Sequence, residues 1–194
     1  EVLIKDEGIR DTKFLPGDSD ETLANGQGIH DDQKIRLRQR VKLANQIAQS
    51  ASAQGHQRFL ALHIDFRSNN QTHVDFDLYH HNSSKKGRQL ASILQQTIER
   101  QYSSRLGGRN FVGRIVSQPE EDTFFVIRET IMPAVLIELA NINNDLDQLR
   151  FIVIDSRQRI AEWLCEALVK DWEQDSRVSE NQWPGNKPDS HAIR

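Results

Sequence analysis

"FLALHID" (59–65) decides how this chain reads: it is an apolar, strand-forming run that ends with His63 and Asp65 on alternate positions. A short continuous apolar run bounded by polar segments is the pattern of a strand buried on both faces. "AVLIELA" (134–140) repeats the feature, with Glu138 set between Ile137 and Leu139. A glutamate buried without a partner gives up its charge or destabilises the fold, so such a carboxylate has a firm partner or a task. Both ionisable groups lie late in their strands. Ligands of open α/β sheets bind at the carboxyl ends of strands, so His63 and Glu138 are expected to converge on one crevice. The plainer alternative pairs Glu138 with Arg128 and lets His63 donate to a backbone carbonyl.

Outward from this pair the chain alternates between strand and helix signals. Leu37, Val41, Ala44, Ala48 and Ala51 recur at spacings of three and four and predict an amphipathic helix from Gln33. "HVDFDLYHH" (73–81) alternates Val74, Phe76 and Leu78 with polar residues, the period of a half-exposed strand. Residues 83–102 predict a second helix behind a serine cap, and 155–172 a third, carrying Ile160, Trp163, Leu164, Ala167 and Leu168 on one side. "FFVIRE" (124–129) and "AVLIEL" (134–139) predict two strands, with Pro133 at the entrance of the second. "VLIK" (2–5) predicts a short strand, 6–32 a long loop and 173–194 a free tail. The expected architecture is α/β: one domain over 1–172, with a mixed or mostly parallel sheet flanked by helices.

Bulk properties exclude several function classes. A chain of 194 residues with 37% apolar composition supports one domain with a real core. Its formal net charge of −3 gives no field that favours nucleic acid or an anionic membrane. Cys165 stands alone, which rules out an intramolecular disulfide and a CxxC metal site. No apolar run approaches the roughly 18 residues of a membrane span. A monomer is the default, because no heptad pattern is sustained. His56, His80, His81 and His191 are expected at the solvated surface; His80 and His81, being adjacent, point to opposite faces of a strand. His30 would reach a metal site only if the loop folded back with Glu7, Glu21 or Asp32.

Three stretches in order, "LRQRVKLAN" (37–45), "FLALHID" (59–65) and "MPAVLIELANINN" (132–144), resemble signatures of the zinc-dependent N-acetylmuramoyl-L-alanine amidases of bacterial cell walls. The first is similar to that family's "L-x-x-R-v-x-x-A-N" helix. The second is similar to "S-I-H-A-D/N", which supplies a zinc histidine, and the third to "P-a-v-L-v-E-x-x-F-x-S-N", which supplies the catalytic glutamate. The intervening "VDFDLYHHNSSKKGRQLASIL" and "FFVIRETIMPAVLIE" fit the same pattern, so the resemblance runs from about Val2 to Trp172.

The resemblance implies an α/β amidase domain in which His63 is a zinc ligand and Glu138 the general acid/base, with peptidoglycan as substrate outside the cytoplasmic membrane and an activator protein as a possible partner. A zinc with an open position acidifies water and polarises a carbonyl, which is what hydrolysis of an unactivated amide needs. Asp65 would orient the imidazole or cap a turn. The chain also departs from the family. No "G-H-G-G" is present, Lys5 stands where the family has arginine, and Asn141 stands where phenylalanine is usual. The expectation is therefore an N-terminally incomplete amidase domain, the alternative being a non-catalytic peptidoglycan-binding or regulatory module with a degenerate amidase fold.

Overall fold

The computed structural model describes residues 4–5, 22–50, 55–68, 76–105, 113–119 and 124–181. The expectations that rest on Glu7, Glu21, Ala51, Val74, His191 and the end of the tail lie outside these residues. The order is β1 (Ile4–Lys5), β2 (Thr22–Leu23), α1 (Gln33–Gln49), β3 (Phe59–Asp65), β4 (Phe76–His81), α2 (Lys85–Arg105), β5 (Gly113–Gln118), α3 (Phe125–Arg128), β6 (Ala134–Asn141), α4 (Asp145–Ile152) and α5 (Ile154–Asn181).

The central sheet has the order β3-β6-β4-β5. β3 runs parallel to β6, β4 runs antiparallel to β6, and β5 runs parallel to β4, so the sheet is mixed as expected. β6 is its axis, and all eight of its residues are buried. That explains an apolar run without alternation: both faces of the strand are covered. On one face α2 and α5 cover Leu78, Val135 and Ile137 with Leu90, Leu94, Ile98 and Trp163. On the other, α1 and α3 cover Phe59, Ala61 and Leu136 with Val41, Ala44, Val126 and Ile127.

Local chemistry sets the helix starts. Asp32 caps α1 by accepting from the Lys34 and Ile35 N–H groups. Ser84 Oγ accepts from the Gly87 N–H at the head of α2. A Cβ on Gly87 would meet Ser84 Oγ at 2.8 Å and the Ala134 carbonyl oxygen at 3.2 Å, so only glycine lets α2 lie this close to the start of β6. Asn45 ties α1 to the loop that enters β6: its Nδ2 donates to the Glu129 carbonyl at 2.9 Å and its Oδ1 accepts from the Ile131 N–H at 3.0 Å.

Six expectations change. β3 is an edge strand with Leu62 and Ile64 exposed, so it is not buried on both faces, and β2 lies inside the expected loop. "FFVIRE" is not a strand: its middle is the single turn α3, held by the Phe124 N–H on Gln118 Oε1 and by Thr130 Oγ1, which donates to the Val126 carbonyl. Four consecutive apolar residues satisfy either period, and here a helical turn buries Val126 and Ile127 together against α1. β5 lies within a stretch in which no element is expected from the residues. α4 carries no apolar stripe: Leu146, Leu149 and Ile152 are exposed and Asp147 is the buried residue, so hydrophobic periodicity could not reveal it. The free tail expected from residue 173 is helical to Asn181, because Asp175 pairs with Arg58 and Lys86 and draws the last turns of α5 onto the body.

Asp147 is fully buried and holds the end of β6. It accepts from the Asn141 N–H at 2.8 Å and from Arg150 Nη2 at 3.0 Å, and the same Arg150 nitrogen also donates to the Leu139 carbonyl. Asp147→Ala strands a buried amide and a largely buried guanidinium, so urea unfolding should show a loss of roughly 3 kcal/mol. A loss below about 1 kcal/mol would mean that this contact does not hold the strand end.

Candidate functional site

Parallel pairing sets His63 beside Glu138, antiparallel pairing sets Glu138 beside Asp77, and parallel pairing sets Asp77 beside Arg114. One register row thus crosses all four strands with an ionisable residue at every position. The next row, Leu62, Ile137, Leu78 and Ile115, is apolar and faces the opposite side. The polar row shares its face with α1, near the carboxyl ends of β3 and β6.

His63 and Glu138, the two residues singled out from sequence, do meet. His63 Nδ1 lies 3.9 Å from Glu138 Oε1. Glu138 is 8% exposed, and its Oε2 is buried without a hydrogen-bond partner. Burial, reinforced by the negative charges of Asp65 and Asp77 and opposed by Arg67, pushes its carboxyl up to about 7. His63 is shifted the other way, held below its ordinary value by burial first and by the Arg40 charge second. The site therefore pairs an imidazole biased to its neutral form with a carboxyl poised to gain or lose a proton near neutrality.

The plainer alternatives give way to other partners. Arg128 pairs with Glu129 at 2.9 Å. Asp65 does not orient His63; it accepts from Arg67 Nε at 2.6 Å. Arg67 Nη2 donates to Asp77 at 2.7 Å, and Arg114 Nε donates to the same oxygen at 3.0 Å. Arg67 therefore clamps two carboxylates that flank Glu138. Asn141, a departure from the family pattern, is fully buried and accepts from the Arg67 and Asn143 N–H groups, which fastens the 65–67 segment to the end of β6.

Two of the other described histidines lie contrary to expectation. His80 is buried, with Nδ1 on the His81 carbonyl, and His56 bonds Asp171 at 2.8 Å on the far side of the molecule. His30 Nδ1 accepts from the Asp32 N–H and Asp32 caps α1, so neither folds back to the site. Among the described residues no group of three His, Cys, Asp or Glu side chains is placed to hold a metal ion. His63 and Glu138 supply one imidazole and one carboxylate, short of the three protein ligands of a catalytic zinc, so the described residues do not by themselves fit that metal.

Sequence reasoning missed Asp77, Arg67 and Arg114. Asp77 sits at a polar position of an alternating run and so was read as solvent-facing, yet it is 4% exposed. Only the strand order brings it to Glu138.

The family model described as N-acetylmuramoyl-L-alanine amidase matches residues 28–170. No curated protein sequence matches the chain. Among solved structures, it is similar to the catalytic domain of the amidase CwlV from Bacillus (Paenibacillus) polymyxa, with 22% identity over 69% of this chain and 64% of that one and a TM-score of 0.52. It is similar to an N-acetylmuramoyl-L-alanine amidase of Clostridium difficile 630, with 22% identity over 75% of this chain and 66% of that one and a TM-score of 0.54. A third similar structure is the CwlD amidase of Clostridioides difficile in complex with the GerS lipoprotein, with 14% identity over 72% and 65% of the two chains and a TM-score of 0.55. The chain thus spans slightly less than two thirds of the length of these domains.

A carboxyl that keeps its proton to about pH 7 in the folded chain, against 4.5 in the open, makes folding less favourable as pH rises between those values. The unfolded chain ionises first across that window, and the deficit stays constant above it. In metal-free buffer, Glu138→Gln should therefore gain on the order of 3 kcal/mol relative to the parent at pH 8 compared with pH 4. An equal difference at both pH values would contradict the raised carboxyl.

Proposed function

The chain belongs to the N-acetylmuramoyl-L-alanine amidase family, and from that premise we propose that it hydrolyses peptidoglycan at the amide between the lactyl group of N-acetylmuramic acid and the first L-alanine. The observation that carries this reading is Glu138, a buried carboxyl with one unpartnered oxygen that faces an imidazole late in two parallel strands. Its carboxylate takes the proton of the attacking water and its acid form returns a proton to the departing amine. Burial keeps both protonation states accessible at neutral pH, which an exposed glutamate does not.

The zinc belongs to this proposal through the family resemblance. If held there, the ion would supply an acidified water and a polarised carbonyl. His63 would be one of its ligands. Arg67, by neutralising Asp65 and Asp77, keeps the carboxyl of Glu138 from rising still further. Action on the wall implies a location outside the cytoplasmic membrane, and no helix among the described residues is long and apolar enough to cross one. The complex of the CwlD amidase with the GerS lipoprotein supports a protein partner for this chain. A second reading, a peptidoglycan-binding module without hydrolysis, is favoured by the short ligand set among the described residues.

Insoluble peptidoglycan incubated with the chain and added zinc should release soluble fragments and expose new L-alanine amino termini. Glu138→Gln should lower that rate by about a hundredfold or more while still sedimenting with the wall. A Glu138→Gln rate near that of the parent removes Glu138 from the chemistry, and sedimentation without release by the parent selects the binding module.

A further inference from the structure

The helix beside the proton-handling site carries a charge pattern that the fold does not use. α1 holds Lys34, Arg36, Arg38, Arg40 and Lys42 and no acid, in a chain whose formal net charge is −3. All five fall in the first ten of its 17 residues, and its last turn has no basic residue. The helix dipole favours cations at the carboxyl end, so helix stability does not account for this order.

Neighbouring acids do not take these charges up. Lys34, Arg36, Arg38 and Lys42 form no ion pair among the described residues. Asp32 is engaged by the backbone N–H groups it caps, Glu129 by Arg128, and Asp65 and Asp77 by Arg67. Asp31, at the head of α1, is one acid against four cations.

Packing brings the cations to the site. Asn45 holds the carboxyl half of α1 at the loop entering β6, and the Phe59 N–H on the Pro133 carbonyl sets the start of β3 at the same level. Leu37, Val41 and Ala44 share one cluster with Phe59 and Ala61, so α1 runs back along β3 toward its carboxyl end. One turn from Val41 to Leu37 covers about 6 Å, as do the two strand residues from Ala61 to His63. The Arg40 charge is accordingly felt at His63. Lys34, Arg38 and Lys42 recur every four residues, are exposed, and share the flank of Asn45, the side of α1 turned toward β6.

A peptide released at the amide that Glu138 serves keeps carboxylates of its own, at its end and on any acidic residue. We propose that Lys34, Arg38 and Lys42 bind the peptide arm of the substrate as an acidic peptide, its carboxylates meeting this line of cations. The proposal rests on the amidase reading and adds to it the charge of the peptide. Successive cations stand about 6 Å apart along the helix and two extended peptide residues span about 7 Å, so the spacings are matched. The line lies beside the site itself, which favours the substrate's own peptide over a separate polyanion.

Titration calorimetry of the full chain in metal-free buffer with N-acetylmuramoyl-L-alanyl-D-glutamate and its diamide tests this. The diacid should bind about tenfold or more tightly than the diamide, with an advantage that shrinks as salt is raised. Lys34→Gln combined with Arg38→Gln changes two exposed positions at equal helix propensity, so the chain should fold, and it should bring the two ligands to about equal affinity. Lys85→Gln combined with Arg88→Gln removes the same charge from α2 and should leave the preference intact. Equal binding of diacid and diamide by the parent, a preference that survives in the α1 variant, the same loss in the α2 variant, or no binding of the diacid would overturn the proposal. Binding of poly(ribitol phosphate) that is lost in the α1 variant while the diacid preference stands would overturn it in favour of a wall polyanion. Peptidoglycan release by the parent with added zinc reads the amidase assignment separately: its absence beside an intact diacid preference counts against hydrolysis alone.

Discussion

A carboxyl group placed late in a strand that is buried along its whole length is the constraint around which this molecule is arranged. β6 has no solvent-facing side, so Glu138 cannot keep its charge by reaching water as an ordinary strand glutamate does. The neighbours that register imposes on it decide its state. His63 arrives from the parallel side and Asp77 from the antiparallel side, and the mixed topology is what sets a base and an acid on either flank of the same residue.

The surrounding charges form a compensated set. Asp65 and Asp77 would together raise the carboxyl of Glu138 further, and Arg67 offsets both while Arg114 holds Asp77 from the edge strand. Asp77 is the buried member of this set, and removing an arginine would leave its carboxylate less compensated, so the value of these pairs lies in fixing positions and charge states. Asn141 and Asp147 do the corresponding work at the end of β6, tying it to the 65–67 segment and to α4. The same strand therefore carries Glu138 and the contacts that hold its neighbours in register.

How much of this was legible in the residues depended on whether chemistry or topology placed them. His63 and Glu138 were legible because an ionisable group inside an apolar run is conspicuous, and the helices at 33–49 and 154–172 because their apolar faces repeat. Asp77 was not, since alternation along β4 gives it the look of a solvent-facing residue and only the strand order buries it. The Arg67 clamp was hidden for the same reason. α4 escaped because it buries a charge in place of an apolar stripe, and Phe125–Arg128 was misread because a four-residue apolar run suits strand and helix alike. The meeting of His63 and Glu138 was expected from their places late in two strands, and the parallel register of β3 and β6 sets them side by side.

The state of the Glu138 proton is the point on which the account turns. Carbon-13 NMR of the chain labelled at the glutamate side-chain carboxyl carbons, with Glu138→Gln used to assign the resonance, follows that proton directly in metal-free buffer. The account predicts a titration midpoint close to 7 for this one carboxyl. A midpoint near 4.5, the value of a solvent-exposed glutamate, would contradict it and leave the burial of β6 without chemical consequence.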